Sequence, residues 1–382
     1  MTTLERASAI VETWNDELRR ELPEGARLFD AHTHLGNDID GMVGGYEELT
    51  SILDRYGFAG AFVFCMDEHD REPAFTVPND RTLAHAARSS ARLVPFVRLD
   101  LTAQPLEEAR RCLDLGARGI KLHPRAQAFA LDDERLQPVF ALAVDRSVPI
   151  LIHGGRGLPP IAEDLEALVK RNQGVQLIVA HAGIADMANL AGRLGGMPGV
   201  FFDTSVWSGL DLLDLYRQIS PEQVLYASDY PYGRQPNSLL VSVRTAKLAG
   251  FDDKQLRLML GGSARRIAEH EDLEPLSPPK GLTSLVQPLT FARIHQYVSM
   301  AVPMLWLRQP DAIGALGLAV NASRERSNGH PEEGERIQEL LMTAQELWRA
   351  GVGLEGDERV AAFRAAIQLV NLADMVSLTT RA

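Results

Sequence analysis

Cysteine and long apolar runs are scarce in this 382-residue chain, and each shortage excludes a class of protein. The two cysteines, Cys65 and Cys112, cannot form a disulfide framework and show no C-x-x-C spacing, so we expect free thiols in a reducing compartment. No uncharged apolar segment reaches the ~18 residues that a membrane span requires. The N-terminal segment lacks the basic-then-apolar order of a signal peptide. The sequence therefore predicts a cytoplasmic protein with no membrane partner.

Basic charge is scarce as well. The chain has 39 lysine and arginine residues against 51 acidic ones, which gives a formal net charge of −12. This balance argues against a nucleic-acid-binding surface, which needs a basic stripe, and favours a small-molecule substrate. Most of the basic residues are arginine, so Lys121, which lies in an apolar segment, stands out as a lysine with a specific role.

Eight short apolar segments, many of them rich in β-branched residues, alternate with stretches of helical periodicity. They begin at residues 27, 59, 92, 117, 148, 175, 200 and 224. Repeated βα units of this kind build parallel sheets, and eight units over roughly 250 residues is the count of a (β/α)8 barrel. The sequence therefore predicts an α/β fold of the TIM-barrel type.

Helical segments flank the predicted barrel. Residues 1–26 predict an amphipathic helix packed on the barrel, residues 27–272 the barrel itself, and residues 273–282 a proline-rich linker. Residues 283–382 predict an added C-terminal all-helical region, which holds no cluster of potential ligands. We expect this region to pack on the barrel or between the subunits of a homodimer, or else to cap the mouth of the barrel.

The first barrel segment ends in DAHTHLG, with His32 and His34 one residue apart. Alternate residues of a strand point to the same side, so both imidazoles face one way. The pair is either two buried polar side chains or half of a metal site, because Zn²⁺ and similar cations take imidazole nitrogen and carboxylate oxygen as ligands. Asp30 faces the same side, one pleat deeper, in position to accept a hydrogen bond from a ligand.

Four further predicted strands end in polar residues. GIKLHP carries Lys121 and His123, LIHGG carries His153, VAHAG carries His181 and ASDYP carries Asp229. Taken alone, His153 fits a hydrogen-bonded core histidine, and Asp229 fits a turn or helix-capping aspartate. In a (β/α)8 barrel, however, the C-terminal ends of all strands meet at one rim, where such enzymes hold their active sites. Together these residues predict a catalytic site.

The five quoted motifs, in this order along the chain, resemble those of the amidohydrolase superfamily, specifically its amidohydrolase-2-like branch, over roughly residues 27–270. The resemblance implies a metal-dependent hydrolase in which metal-activated water attacks an amide, lactone or related carbonyl of a small molecule. The same branch contains non-oxidative decarboxylases of aromatic or unsaturated acids, and hydratases, so these reactions are the alternative. A degenerate barrel with a binding or assembly role through the helical tail is a second alternative.

The resemblance also implies a set of site residues. In mononuclear members four side chains hold one divalent ion, here expected to be zinc, with manganese or another divalent ion as the alternative. The corresponding residues are His32, His34, His153 and Asp229. Asp229 and His181 are then the catalytic groups that move protons. In binuclear members Lys121 is carbamylated and bridges two ions, and His181 becomes a ligand; we favour one ion.

Basic residues on the same rim are candidates for substrate binding. Lys121 and His123 share one strand face, and Arg125 and Arg156 follow their strands directly. Each has a simpler interpretation. Lys121 would pair with an acid of the rim, His123 would be a structural residue, and both arginines would be solvated loop charges. Their accumulation favours a substrate that bears a carboxylate.

Overall fold

The structure is a computed structural model that describes residues 2–206, 208–281, 286–309, 311–325 and 329–381. The described residues form nine strands: β1 (Phe29–Asn37), β2 (Val43–Gly44), β3 (Gly60–Cys65), β4 (Leu93–Arg98), β5 (Gly119–Leu122), β6 (Ile150–Ile152), β7 (Leu177–Val179), β8 (Val200–Asp203) and β9 (Val224–Leu225).

The same residues form fifteen α-helices. These are α1 (Thr3–Glu21), α2 (Tyr46–Tyr56), α3 (Thr76–Ala87), α4 (Pro105–Asp114), α5 (Leu136–Asp145), α6 (Ala162–Arg171), α7 (Met187–Leu194), α8 (Gly209–Gln218), α9 (Asn237–Ala249), α10 (Asp253–Arg257), α11 (Ser263–Glu269), α12 (Leu289–Trp306), α13 (Ala312–Ser323), α14 (Pro331–Val352) and α15 (Gly356–Thr379).

All strands except β2 form a closed parallel barrel. Neighbouring strands pair in the order β1-β3-β4-β5-β6-β7-β8-β9. Two backbone hydrogen bonds close the ring: the Ala31 N–H donates to the Tyr226 carbonyl (2.9 Å), and the His34 N–H donates to the Tyr230 carbonyl (2.8 Å). The predicted (β/α)8 architecture and all eight predicted strands are confirmed. The sequence pattern does not predict β2, which pairs antiparallel with the end of β1.

Apolar side chains fill both sides of the barrel wall. One core lies between the strands and the surrounding helices, and a second fills the inside of the barrel. The inner core includes Phe29 and Phe62, which meet edge to face with ring centroids 5.0 Å apart. Phe64 belongs to the same core and contacts the rings of His32 and His34. The apolar interior therefore ends where the polar strand ends begin.

The helical segment that ends the barrel is interrupted. A π-helical turn, Leu258–Gly262, separates α10 from α11. A Cβ at Gly261 would lie 2.2 Å from the Arg27 carbonyl oxygen, so only glycine lets this turn approach the start of β1. On the other side, the Met259 carbonyl accepts a hydrogen bond from the Tyr226 N–H (2.8 Å). The turn therefore docks on both strands that close the barrel.

The C-terminal helices pack on one another and on the barrel. α15 contacts α12 and α14 and also lies against α8 and α9 of the barrel. By length and composition alone α15 could cross a membrane, but 61% of that stretch is buried inside the protein, as in the core helix of a globular domain. The predicted boundary between linker and helical region, at residues 282 and 283, lies outside the described residues.

Candidate metal centre

His32 and His34 lie side by side at the C-terminal end of β1. Both are buried, and their Nε2 atoms are 3.1 Å apart. Their rings rest on Phe64, with centroid separations of 5.0 Å and 4.5 Å. The two imidazoles therefore meet on one side of the strand, as its alternation predicts.

Asp229 completes a group of three potential metal ligands. Its Oδ1 is 3.3 Å from His32 Nε2 and 3.2 Å from His34 Nε2, and the three ligand atoms all lie within 4.8 Å of one another. Asp229 has a left-handed backbone φ of 59°, which is uncommon for a non-glycine residue, and its N–H donates to the His32 carbonyl (3.0 Å). The hydrogen bonds between β1 and the residues after β9, which close the barrel, therefore position the three ligands.

A carboxylate that the sequence analysis did not select, Asp203 at the end of β8, orients His32. Its Oδ2 lies 2.7 Å from His32 Nδ1, and both side chains are fully buried. Because a carboxylate accepts here, His32 carries its proton on Nδ1 and presents a lone pair on Nε2. Asp203 Oδ1 also accepts from the His181 N–H (2.8 Å). The signal that could have identified Asp203 is its place at a strand end, in VFFDTSVW.

The donor set fits a divalent cation. His32 Nε2 and the Asp229 carboxylate are both acceptors, and they converge on His34 Nε2. Burial, with the nearby charge of Lys121, holds the pKa of each of the two histidines well below its usual value. Both imidazoles are therefore neutral, which is the form that binds a metal. Two imidazole nitrogens and a carboxylate oxygen are ligands that zinc prefers.

Two buried cations lie beside these ligands. Lys121 is 1% exposed, and its Nζ has no hydrogen-bond partner among the described residues and lies 4.6 Å over the Phe64 ring. Arg98, its neighbour in strand register, is 2% exposed; its Nε and Nη2 also lack hydrogen-bond partners there, and Asp67 is 4.0 Å away. Burying such groups is costly, so the pair favours an anionic group brought by a ligand. The sequence analysis did not select Arg98.

Burial also acts on the ionisation of the site. It raises the pKa of Asp229, and the nearby charge of Lys121 acts in the opposite direction. It lowers the pKa of Lys121, against the charges of Asp203 and Asp229. A cation among the ligands would favour the charged form of Asp229, because an opposite charge at short range offsets the loss of solvation.

His181 and His153 form a hydrogen-bonded chain next to the ligands. His181 Nδ1 lies 2.8 Å from the Ser205 carbonyl oxygen, and its Nε2 lies 3.0 Å from His153 Nδ1. A carbonyl only accepts, so neutral His181 is protonated on Nδ1, accepts at Nε2 and leaves a lone pair on His153 Nε2. That buried Nε2 has no hydrogen-bond partner in the described part of the chain. His153 is not one of the three clustered ligands, and its role as a fourth ligand stays a prediction.

The other predicted substrate residues lie farther from the three ligands. His123 stacks on His153 with ring centroids 3.9 Å apart, and its Nδ1 accepts a backbone N–H (3.1 Å). The Arg156 side chain is 76% exposed and pairs with an aspartate of α8. Arg125 is exposed, and its Nη1 is 3.5 Å from the Arg156 carbonyl oxygen. The structure thus brings His123 to the histidine cluster and leaves both arginines at the surface.

Asp30 contacts the backbone of a candidate ligand rather than its imidazole, in contrast to the expectation from alternation. Between Asp30 and Thr33 the pairing of β1 with β3 gains one residue on β1, a β-bulge. The extra residue places Asp30 and His34 on opposite faces of the strand. Asp30 Oδ1 instead accepts from the N–H groups of His32 (3.2 Å) and Ser228 (2.9 Å), which ties β1 to the residues that follow β9.

Several solved structures share this fold. The IDCase of Metarhizium anisopliae in apo form is 15% identical, with a TM-score of 0.50 over 65% of this chain and 98% of that one. The 4-oxalomesaconate hydratase of Rhodopseudomonas palustris is 16% identical, with a TM-score of 0.50 over 63% of this chain and 95% of that one. A protein of Agrobacterium tumefaciens is 17% identical, with a TM-score of 0.50 over 66% and 99%. At these identities the likeness is one of fold.

By sequence, no curated protein matches the chain at a significant level. The family model described as amidohydrolase, in contrast, matches residues 29–267. The matched range contains all the barrel strands and the three clustered ligands. Since the match covers well over half of the 382 residues, the chain belongs to the amidohydrolase family.

Proposed function

We propose that this protein is a metal-dependent hydrolase that cleaves an amide, lactone or related carbonyl of a small, carboxylate-bearing molecule. The observation that carries the proposal is the convergence of His32, His34 and Asp229 within 4.8 Å at the C-terminal end of the barrel. Barrel enzymes hold their active sites at this end. The lone pair on His153 Nε2 supports His153 as the fourth ligand.

Asp229 is the proposed catalytic base. A divalent ion held by these residues would lower the pKa of a water molecule from 15.7 toward about 7 and polarise a carbonyl oxygen. Asp229 Oδ1 faces the two histidines, whereas Oδ2 accepts no hydrogen bond from the described residues and remains free to take a proton from the attacking water. Asp229 then passes that proton to the leaving group.

His181 is the second proposed catalytic group. Hydrogen bonds at both ring nitrogens fix its orientation, and its ring centroid is 5.0 Å from that of His32. His181 Nε2 would give up the hydrogen bond from His153 and take up a proton. The protonated His181 would then stabilise the negative charge that develops on the substrate oxygen.

Lys121 and Arg98 support an acidic substrate. Both are buried with nitrogen atoms that lack hydrogen-bond partners among the described residues, so a substrate carboxylate would supply the missing acceptor. The same feature fits the runner-up reaction, decarboxylation or hydration of an aromatic or unsaturated acid. We propose zinc as the ion, from the donor set, and the cytoplasm as the compartment, since both cysteines are free and buried.

The test uses the full-length protein, stripped of metal with a chelator and reloaded with zinc or manganese. We expect metal-dependent hydrolysis within a panel of carboxylate-bearing lactones, amides and esters. Carbon dioxide release from hydroxybenzoates, without hydrolysis of the panel, would favour the decarboxylase instead. A protein that binds no stoichiometric metal by elemental analysis would contradict both reactions.

A further inference from the structure

A cavity of about 70 Å³ lies between the mouth of the barrel and the C-terminal helices. One water needs at least about 10–15 Å³, so the cavity has room for several waters or one small organic group. Its lining includes Ser228, Tyr232 and Arg234 from the loop after β9, and Arg364, Gln368 and Asn371 from α15.

The cavity begins next to a candidate metal ligand. Ser228, in its wall, directly precedes Asp229 in the chain. Tyr232, also in its wall, meets His34 edge to face with ring centroids 6.0 Å apart, and its N–H donates to the Asp229 carbonyl (2.7 Å). The wall of this cavity therefore contains residues that adjoin or contact two of the three candidate ligands.

Hydrogen bonds hold α15 in place as the outer wall. Asn237 Nδ2 donates to the Gln368 carbonyl (2.7 Å), and Gln368 Nε2 donates to the Gln235 carbonyl (2.9 Å). On the far side, His295 Nδ1 on α12 lies 2.6 Å from Asp374 Oδ1 on α15. The wall is thus fastened both to the barrel and to a second C-terminal helix.

Arg364 brings a positive charge to this cavity without an ion pair of its own among the described residues, although the charge of Glu48 acts on it. Arg234, the other arginine in the wall, pairs with Glu48 at 3.2 Å. Arg364 is half-buried and makes no ion pair within the described ranges; its Nη2 donates only to Met42 Sδ (3.4 Å), a weak acceptor. Asp374, which also lines the cavity, already pairs with His295.

We propose that α15 forms a specificity wall of the active site, in which Arg364 binds a carboxylate of the substrate away from the reacting carbonyl. The inference rests on the proposed function, which puts the reaction at the metal centre. The binding of a carboxylate by Arg364 does not depend on that function. Arg364 lies outside residues 29–267, which match the family. Substrate selection would then depend on the C-terminal region, while the chemistry depends on the barrel.

The kinetic test compares Arg364→Gln and Arg364→Lys with the wild type, using a carboxylate-bearing substrate from the panel and its neutral amide analogue. A lost charge-assisted contact should raise KM about 10- to 100-fold for the acid in Arg364→Gln, leave kcat within about threefold, and spare the neutral analogue. Arg364→Lys should recover part of the loss. The matched control is Arg349→Gln, at an exposed arginine of α14, with wild-type kinetics expected. Equal losses for acid and amide would overturn the proposal.

A binding test needs no turnover. The zinc-loaded protein is titrated by calorimetry with succinate, with glutarate and with their neutral diamides. We expect both acids to bind better than the diamides, and Arg364→Gln to weaken the acids about tenfold at unchanged zinc content. Acid binding that is unaffected by the substitution, or no preference for acids in the wild type, refutes the role of Arg364. Arg364-dependent acid binding without any metal-dependent turnover would instead contradict only the proposed hydrolase.

Discussion

His32 Nδ1 lies 2.7 Å from Asp203 Oδ2, and neither side chain is accessible to solvent. The two residues are 171 positions apart in the chain and come from β1 and β8. Their contact sets which nitrogen of His32 carries the proton, and it turns Nε2 toward Asp229. We therefore expect the affinity of the metal centre to depend on a carboxylate outside the ligand set.

Replacing Asp203 with asparagine should lower zinc affinity about 10- to 100-fold, because acceptors of this kind fix the tautomer and orientation of a ligand histidine. The measurement is a competition titration against a chromogenic chelator. Asp214→Asn, at an exposed acid of α8, is the control and should keep wild-type affinity. Wild-type affinity in Asp203→Asn, with an unchanged circular dichroism spectrum, would show that the contact is only structural.

Asp229→Asn should reduce turnover by about 10²- to 10⁴-fold, since an amide cannot take a proton from water. The fold should persist, because asparagine keeps the size of the side chain and tolerates the left-handed backbone at this position. Steady-state rates and a thermal unfolding curve measure the two effects. The control is Asp132→Asn, at an exposed acid. Full activity in Asp229→Asn would remove this residue from the mechanism.

The position of Lys121 favours one metal ion and an unmodified amine. Its Nζ lies 4.6 Å over the face of Phe64, which attracts an ammonium group, whereas a carbamate would be anionic. We expect one zinc per chain by elemental analysis and an unmodified Lys121 in an anomalous-scattering electron-density map. Lys121→Met should retain zinc. A second anomalous peak, with extra density on Nζ, would establish the binuclear alternative.

The pair of His295 on α12 and Asp374 on α15 predicts a pH-dependent stability. Burial opposes the charged imidazole, but the hydrogen bond and charge of Asp374, with the charge of Asp211, raise the pKa of His295 above 6.5. Because the pKa of His295 is higher in the folded than in the unfolded state, the pair stabilises the fold fully below about pH 6.5. This stabilisation is lost as the pH rises through the pKa of His295 in the folded state.

The variant His295→Gln tests this dependence. We expect it to lower the free energy of unfolding by about 1.5–3 kcal/mol at pH 6, the range for a hydrogen bond to a charged group, and by much less at pH 9. Urea unfolding at both values measures the difference from the wild type. A difference of the same size at pH 6 and pH 9 would show that the pair adds no charge-dependent stability.

Local patterns in the sequence were sufficient to predict the barrel. Eight apolar segments separated by helical periodicity specify βα units, because strand and helix periods are set by a few neighbouring residues. The same reasoning put His32 and His34 on one side of β1 and placed Asp229 at a strand end. Both predictions rest on spacing within single elements, and the structure shows that placement.

Other features of the site were out of reach of local patterns. One extra residue in β1 reverses the face of Asp30, and nothing in DAHTHLG signals that bulge. Arg98 and Asp203 also end barrel strands, but only their burial and contacts distinguish them from other polar strand ends. Arg125 and Arg156 follow strands just as closely, yet they lie in solvent.

By itself the sequence determined the fold class, the family resemblance and the pair of histidines around which the chemistry is predicted. Tertiary structure decided which partners meet that pair, because closure of the barrel joins β1 to residues that follow β9, about two hundred positions later. Tertiary structure also decided that α15 lies opposite the mouth of the barrel. The packing of α15 on α8 and α9 brings Arg364 to the loop after Asp229, and such a contact depends on long-range packing rather than on any local pattern.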